Sequence, residues 1–344
     1  MSGRHVLLYL LIGGLLLLAV WAVSRAARPP DVTALITPAS TAVMPAAFSP
    51  SRTPLAPTTP AAAVAAPTLT PSVVLTATPT PSITPTSTPT PTITATPCSQ
   101  PGRIETGFFP SAIAGDMSYR IYLPPCYGEN GRTYPVLYML PGNTYTDAIW
   151  DQIGLDEAAE AGIQAGLYPP ILIVMPYSGE VANFTSGGPR SYEIVILEDL
   201  TTYIESTYCA SADPEFRALG GLSRGGYWSL EIAFRHPEAF VSVGGHSAAL
   251  LDEYAKPDVN PQYTALSSDL GDLRIYLDIG DQDWVRANTL QLHEDMVAAG
   301  ISHEWVLNEG SHEEAYWTAH VTEYLAWYTE PWQQSAQNLP PCTP

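Results

Sequence analysis

The chain has 344 residues, of which 14 are basic and 34 acidic, and its formal net charge is −20. Residues 1–97 hold four arginines and one aspartate, so residues 98–344 carry 10 basic and 33 acidic side chains and a formal charge of −23. A negative field of this size disfavours nucleic acid and anionic lipid surfaces as partners, and a neutral substrate fits better.

Residues 1–28 have the features of an export signal. The run at 6–23, VLLYLLIGGLLLLAVWAV, is apolar, aromatic or glycine throughout and lies between Arg4 and Arg25. It is longer than the usual apolar core of a cleaved signal peptide and long enough to span a bilayer, which favours an uncleaved anchor. Ser24 and Ala26 also suit a signal peptidase, so cleavage is the alternative. Either way we expect an extracellular or cell-surface protein that meets the membrane only through this segment.

Residues 29–97 are predicted to form a disordered linker. They are almost entirely Thr, Pro, Ala, Ser and Val and end in near-repeats such as TPTPSITPTSTPTPTITATP. The segment lacks the large apolar side chains that offset the entropy of ordering a backbone, and proline biases it toward polyproline II. It serves either as a stalk through a cell envelope or as a passive spacer.

Residues 98–344 are predicted to form one α/β domain with a mostly parallel sheet and helices on both faces, because β-rich runs alternate with helical stretches. Some runs are apolar throughout, as strands buried on both faces tend to be. No long insertion resembles a lid domain. The predicted strands are 119–123, 134–140, 171–175, 217–222, 241–245, 273–279 and 303–307. The predicted helices, with apolar residues three or four apart, are 155–167, 191–207, 224–236, 288–299 and 313–328.

All four cysteines, Cys98, Cys126, Cys209 and Cys342, lie in this domain. An even number in an exported chain suggests two disulfides, but spacing does not choose among three pairings. If the first predicted strand runs antiparallel to its successors, Cys126 lies where the strand after Cys209 begins. This layout favours Cys126–Cys209 and Cys98–Cys342. No Cys-x-x-Cys or histidine cluster accompanies them, so no metal site is expected.

A G-x-S-x-G motif lies where the fourth predicted strand meets the third predicted helix. The sequence at 220–226 is GGLSRGG, with Ser223 at the centre of the motif. A nucleophile at the tip of a sharp strand–turn–helix needs a strained backbone, and only glycine on either side leaves room for the crossing elements. The motif in this context predicts Ser223 as a nucleophile; the alternative is a glycine-rich turn with an exposed serine.

A serine nucleophile requires a base, and the base requires an acid that orients it. His312 lies in a turn between the last predicted strand and the last predicted helix, where a loop-borne base would be. His246, which follows its own strand, is the alternative base. Asp281 and Asp283 compete for the acid role after the strand at 273–279. We favour Asp283, because its Gly-x-x-Asp turn gives the chain order Ser, Asp, His found in α/β-hydrolases.

The oxyanion of an acyl-transfer intermediate needs two N–H donors, one from the residue after the nucleophile and one from an early strand-to-helix loop. These are predicted to be the backbone amides of Arg224 and of Asn143, which follows the strand YPVLYML and the turn residues Pro141 and Gly142.

Aromatic residues are concentrated in the same loops. They are suited to stack on a phenolic or sugar-bearing ester, although core packing is the alternative for any one of them. The predicted substrate-binding residues are Tyr145, Trp150, Trp284 and Trp317, and Tyr316 lies next to the last of them.

The runs YPVLYMLPG, PPILIVMP, GGLSRGG and GSHEEAYW, with Trp150 and the Gly-x-x-Asp turn, resemble the putative esterase family of α/β-hydrolases. That family includes esterase D-type enzymes, feruloyl esterases, enterochelin esterases and mycolyltransferases, and the resemblance covers roughly residues 107–328. It implies the α/β-hydrolase fold and an acyl-serine mechanism without metal or organic cofactor. It also places nucleophile, acid and base on Ser223, Asp283 and His312.

Two departures accompany the resemblance. Where many members have His-Gly-Gly at the oxyanion turn, this chain has Pro141-Gly142-Asn143, and it has Arg224 where methionine is frequent. The resemblance and the export features together predict a serine carboxylic ester hydrolase that acts on feruloyl or acetyl esters of polysaccharides. An acyltransferase and a non-catalytic surface binding module are the alternatives, and no oligomeric state is predicted.

Overall fold

The computed structural model describes residues 99–129, 131–251 and 255–342. The predicted export segment at 1–28, the predicted linker at 29–97 and Cys98 lie outside these residues. Within the three described stretches, no helix combines the length and apolarity needed to cross a membrane.

An eight-stranded sheet organises the described part of the chain, in the order β1-β2-β4-β3-β5-β6-β7-β8. Its antiparallel pairs are β1 with β2 and β2 with β4, and β3 to β8 are mutually parallel. The predicted, mostly parallel sheet is confirmed, and β2, which contains the first predicted strand, meets the antiparallel condition on which the disulfide argument depended. The strands are β1 Arg103–Ser111, β2 Gly115–Leu123, β3 Val136–Leu140, β4 Leu172–Pro176, β5 Arg217–Leu222, β6 Ser242–His246, β7 Arg274–Gly280 and β8 Glu304–Asn308.

Helices cover both faces of the sheet, as predicted. One buried cluster includes side chains of α4, α5 and α7, and a second, on the other face, includes those of α1, α2 and α8. The helices are α1 Ile149–Gln152, α2 Leu155–Gln164, α3 Gly179–Phe184, α4 at 192–207, α5 Arg224–Arg235, α6 Pro261–Ser267, α7 Arg286–Ala299 and α8 Glu314–Thr329. The middle of α4, Val195–Leu200, has π-helical geometry.

The strand β1 has no counterpart among the predicted elements. It is an edge strand that pairs only with β2, and only two of its nine residues are buried. An edge strand needs no continuous apolar run, so its sequence, RIETGFFPS, carries little strand signal.

The parallel strands bring six connections to one edge of the sheet. These connections follow β3 to β8, and they contain the G-x-S-x-G serine, His312 and both candidate acids, while His246 is the last residue of β6. Such an edge, outside the carboxyl ends of parallel strands, is where open α/β sheets bind ligands. The fold therefore collects every predicted catalytic side chain at one place.

The predicted disulfide pairing is wrong. Cys209 is bonded to Cys342, with a Cα–Cα distance of 5.4 Å. Cys126 is also disulfide-bonded, and Cys98 lies outside the described residues. The C-terminal tail decides the pairing, because it returns to the segment before β3, where the Cys342 amide donates to the Gly131 carbonyl at 2.8 Å.

We expect the paired substitution Cys209→Ser and Cys342→Ser to lower the free energy of unfolding by about 3–5 kcal/mol, because this disulfide closes a long loop. Urea unfolding of the variant and wild type, each with and without reductant, measures the difference. Equal stability of the two oxidised proteins would contradict the pairing.

Candidate active site

Ser223 forms the single-residue turn between β5 and α5. Its backbone has φ 55° and ψ −116°, a region that costs energy for any residue with a side chain. A Cβ on Gly221 would lie 2.5 Å from the Gly225 carbonyl group, and a Cβ on Gly225 would lie 2.3 Å from the Leu140 oxygen. Both contacts are shorter than real Cβ atoms make, so the strand and helix cross this closely only because these two residues are glycines. The strained serine is thereby held at the tip of the turn.

Ser223, His312 and Asp283 form one hydrogen-bonded chain. The Nε2 atom of His312 lies 2.8 Å from the Ser223 Oγ atom, and its Nδ1 atom lies 2.9 and 3.0 Å from the two Asp283 carboxylate oxygens. The Asp283 side chain is fully buried, and the Val285 amide donates to its Oδ1 atom at 2.9 Å. Because a carboxylate only accepts, Nδ1 carries the proton of a neutral imidazole and Nε2 accepts from the serine.

The two alternative candidates occupy other positions. His246 is fully buried and its Nδ1 atom pairs with Asp278 at 2.6 Å. Asp281 accepts a hydrogen bond from the Gly310 amide at 3.1 Å, which lowers the pKa of its carboxyl group and ties the connection after β7 to the one after β8. The chain of contacts to the serine therefore runs through His312 and not through either alternative.

The predicted oxyanion donors flank the nucleophile. A Cβ on Gly142 would lie 3.3 Å from the Ser223 Cβ atom, so the turn that contains Asn143 lies against the serine. The amide of Arg224 lies at the N-terminus of α5, where backbone N–H groups and the helix dipole favour an anion. The assignment of these two amides as oxyanion donors stays a prediction, and both belong to segments next to Ser223.

The predicted aromatic residues divide into cleft and core. Trp284 is 65% exposed and its ring centroid lies 5.2 Å from that of His312. Trp317 is buried and packs perpendicular to His312 at 5.2 Å, and Tyr145 packs perpendicular to Trp317 at 6.3 Å. Trp284 alone among them offers a largely exposed ring beside the base, whereas Trp317 supports the imidazole from within the protein.

The expectation for Trp150 is corrected. Its side chain is fully buried, its indole N–H donates to the Leu140 carbonyl at 3.0 Å, and its ring packs on His246. Trp150 therefore supports the end of β3 from the core and does not line the cleft.

A buried polar network behind the site is absent from the sequence predictions. Its centre is Asp278, which pairs with His246 and accepts hydrogen bonds at 2.8 Å from the hydroxyl groups of Tyr316 and Tyr324. Burial first, and then the Asp278 charge, raise the pKa of both tyrosines, which therefore remain proton donors. Tyr328 reaches His246 from the same helix face. The spacing of these tyrosines by multiples of four along α8 is the signal that indicates a shared face.

This network connects α8 to the strands that carry the site. Tyr316 is the residue before Trp317, which packs on His312, and the Ser223 amide donates to the His246 carbonyl at 2.9 Å. The network thus reaches His312 through Trp317 and reaches Ser223 through the His246 carbonyl. It does not touch the Ser223 hydroxyl or the His312 Nε2 atom.

The fold is that of an α/β-hydrolase, and the hydrogen-bonded Ser223, His312 and Asp283 have the arrangement of a Ser-His-Asp triad. The sequence matches a family model described as "Putative esterase" over residues 111–328. The chain belongs to this family, whose model covers more than half of its length.

Two curated relatives share parts of this sequence. An esterase of Mycobacterium tuberculosis is 35% identical over 150 residues, which are 41% of this chain and 31% of the relative. An endo-1,4-beta-xylanase/feruloyl esterase of Xylanibacter ruminicola is 28% identical over 240 residues, which are 66% of this chain and 30% of the relative. The chain thus spans about a third of the length of these relatives.

Solved structures share the fold. A ferulic acid esterase superposes with a TM-score of 0.62 at 23% identity, over 67% of this chain and 99% of the other. S-formylglutathione hydrolase (FrmB) from Staphylococcus aureus superposes with a TM-score of 0.59 at 18% identity, over 68% of this chain and 99% of the other. Both comparisons support the predicted α/β-hydrolase architecture.

Proposed function

We propose that this chain is an exported serine carboxylic ester hydrolase that works through an acyl-serine intermediate. The observation that carries the proposal is the continuous hydrogen-bonded chain from Asp283 through His312 to Ser223, at the tip of a strained strand–turn–helix. A serine hydroxyl becomes a competent nucleophile when such a base accepts its proton.

In the first step, the Ser223 Oγ atom attacks the ester carbonyl carbon while its proton moves to His312 Nε2. The Asp283 carboxylate stabilises the resulting imidazolium, and the amides of Asn143 and Arg224 donate to the oxyanion. The imidazolium then gives its proton to the leaving alcohol oxygen, and the acyl group remains on the serine.

In the second step, water replaces the alcohol. His312 Nε2 removes a proton from the water, the resulting hydroxide equivalent attacks the acyl carbon, and Ser223 recovers its proton as the acid leaves. No step requires a metal or an organic cofactor.

For the substrate, we propose feruloyl or acetyl esters linked to polysaccharide. The relative from Xylanibacter ruminicola is named a feruloyl esterase, and an acidic domain suits a neutral ligand. The proposed extracellular or cell-surface location rests on the sequence of residues 1–28 and 29–97.

The test is hydrolysis of p-nitrophenyl acetate, p-nitrophenyl butyrate and methyl ferulate by the purified full-length protein, with product analysis. We expect free acid from each accepted ester. The same reactions with a sugar or alcohol acceptor separate hydrolysis from acyl transfer, because transfer produces a new ester. No turnover of any ester, together with no fluorophosphonate labelling of Ser223 in folded protein, would contradict the proposal and favour a surface binding module.

A further inference from the structure

The side chain of Arg224 is buried and binds the connection that follows β4. Its guanidinium group donates to the Ala182 carbonyl from Nε at 3.2 Å and from Nη2 at 3.1 Å, and Nη2 also donates to the Thr185 carbonyl at 2.7 Å. Only 4% of the residue is exposed. The side chain of Arg224 therefore holds the connection between β4 and α4.

The first turns of α5 reinforce this hold. The Trp228 indole N–H donates to the same Ala182 carbonyl at 3.1 Å, and the Tyr227 hydroxyl donates to the Ser186 carbonyl at 2.9 Å. The Arg224 Cζ atom lies 4.3 Å from the Tyr227 ring centroid and 5.1 Å from that of Trp228. A planar guanidinium group both stacks on rings and donates in a fixed fork, which a lysine cannot do. The segment 182–186 is thus fixed to the helix that begins at the nucleophile.

This arrangement leaves one large apolar side chain exposed. The carbonyl groups of residues 182, 185 and 186 are all used as acceptors by α5, while Phe184, between them, is 82% exposed. An exposed phenylalanine on a firmly held segment presents a preorganised apolar surface, so binding to it costs little further ordering.

Phe184 and Trp284 belong to connections that follow strands on opposite sides of β5, the strand that leads to the nucleophile. Ser223 follows β5, Phe184 belongs to the connection after β4, and Trp284 belongs to the connection after β7. In the sheet order β4-β3-β5-β6-β7, each of the two outer strands is two positions from β5, which is about 10 Å at the usual strand spacing. The connections on the two sides of β5 therefore each carry an exposed aromatic residue.

The proposed reaction places the leaving alcohol and the acyl group on different sides of the ester carbonyl carbon. His312 must protonate the leaving alcohol, so the alcohol lies beside the imidazole, and the Trp284 ring lies 5.2 Å from that imidazole. The acyl group lies on the other side of the carbonyl carbon. We propose that Arg224 is a positioning residue whose guanidinium group fixes the segment 182–186, so that Phe184 contacts an aromatic or long apolar acyl group. This inference rests on the proposed esterase function.

Two pairs of esters test the inference on the full-length protein. Methyl acetate and methyl ferulate differ only in the acyl group, whereas methyl acetate and 2-naphthyl acetate differ only in the alcohol. We expect Phe184→Ala to lower the ferulate-to-acetate ratio of kcat/KM by roughly tenfold, the worth of a good aromatic contact, and to change the naphthyl-to-methyl ratio by less than about twofold. Phe108→Ala is the matched control, since Phe108 is also exposed, at 66%, but lies on the edge strand β1. It should leave both ratios unchanged.

The role of Arg224 is tested by combining substitutions. Arg224→Met keeps the backbone amide and a side chain of similar volume but removes the donors to Ala182 and Thr185. We expect Arg224→Met to lower the ferulate-to-acetate ratio, and to lower that ratio no further in the Phe184→Ala background, because the two changes act on one contact. A general disturbance of the oxyanion site would slow both esters equally and leave the ratio unchanged.

An unchanged ferulate-to-acetate ratio in Phe184→Ala, with wild-type protein hydrolysing both esters, would overturn the inference and leave the esterase function intact. A loss confined to the naphthyl-to-methyl ratio would also overturn it. Failure of the wild-type protein to hydrolyse any ester would overturn the proposed function and this inference together.

Discussion

Replacing Ser223 by alanine is expected to lower kcat by about 10³-fold or more, while the protein remains folded. In the proposed mechanism the hydroxyl carries the covalent step, because its oxygen forms the acyl bond and its proton moves to His312 Nε2, which lies 2.8 Å away. Truncation to alanine removes only the hydroxyl group, so the backbone turn and the packing of the fold are kept. The initial rate with p-nitrophenyl acetate and the near-UV circular dichroism spectrum measure the two expectations.

Ser247→Ala is the matched control for this substitution. Ser247 follows the neighbouring strand β6, is buried, and also has positive φ, at 48°. Its hydroxyl has no hydrogen-bond partner within the described residues, so its removal should leave kcat within about twofold of wild type. Loss of activity in Ser247→Ala with retention in Ser223→Ala would show that the wrong serine has been assigned.

The central strands can be predicted from the sequence because they are buried on both faces of the sheet. β3 and β4, VLYML and LIVMP, are buried at every position, and a strand buried on both faces must be apolar along its whole length. β1 lies at the sheet edge with mostly exposed or half-buried residues, so its sequence is under no such constraint. The outer strand could not be predicted from the same signal.

Ser223, Asp283 and His312 could be predicted because a serine hydrolase mechanism restricts both the type and the chain position of its residues. A strained turn requires glycines at 221 and 225, and the chain order places an acid and a base after later strands. The surroundings carry no comparable signal. Trp150 and Trp284 both follow predicted strands near the site, yet one is buried against His246 and the other is exposed beside His312. Tertiary packing alone separates them.

The disulfide shows the same limit. The antiparallel direction that the disulfide argument assumed holds for β2. It does bring the residue after Cys126 to Cys209, since the Tyr127 hydroxyl accepts from the Cys209 amide at 2.9 Å. The partner of Cys209 is nevertheless Cys342, because the tail returns along the segment before β3. A contact between segments 133 residues apart depends on the completed fold and not on local sequence.

This protein contains two histidine–aspartate pairs in different environments. His312 and Asp283 face the serine, with 11% of the His312 side chain exposed, whereas His246 and Asp278 are fully buried and are completed by tyrosine hydroxyl groups. A buried charge is stable only when its hydrogen bonds are satisfied, so the second pair needs its tyrosines, whereas the first can exchange a proton with a substrate. The exposure of the imidazole, more than the pairing itself, separates a catalytic arrangement from a structural one.

Replacing Asp283 by asparagine is expected to lower kcat by about 10⁴-fold. Both carboxylate oxygens lie within 3.0 Å of His312 Nδ1, and Oδ1 also accepts from the Val285 amide. With the Asn oxygen held by Val285, the amide NH₂ group faces Nδ1 and donates to it. The imidazole proton then moves to Nε2, which can no longer accept the proton of Ser223. Steady-state hydrolysis of p-nitrophenyl acetate measures the loss, and the rate of fluorophosphonate labelling of Ser223 should fall with it.

Asp281→Asn provides the control on the same turn. Asp281 accepts from the Gly310 amide through one carboxylate oxygen, and an asparagine oxygen can accept the same hydrogen bond, so activity should stay within about twofold of wild type. The opposite pattern, with Asp283→Asn active and Asp281→Asn inactive, would assign the orienting acid to Asp281. Because the two carboxylates are two residues apart and share the connection after β7, a difference between the variants reports on the contact with His312 and not on the turn itself.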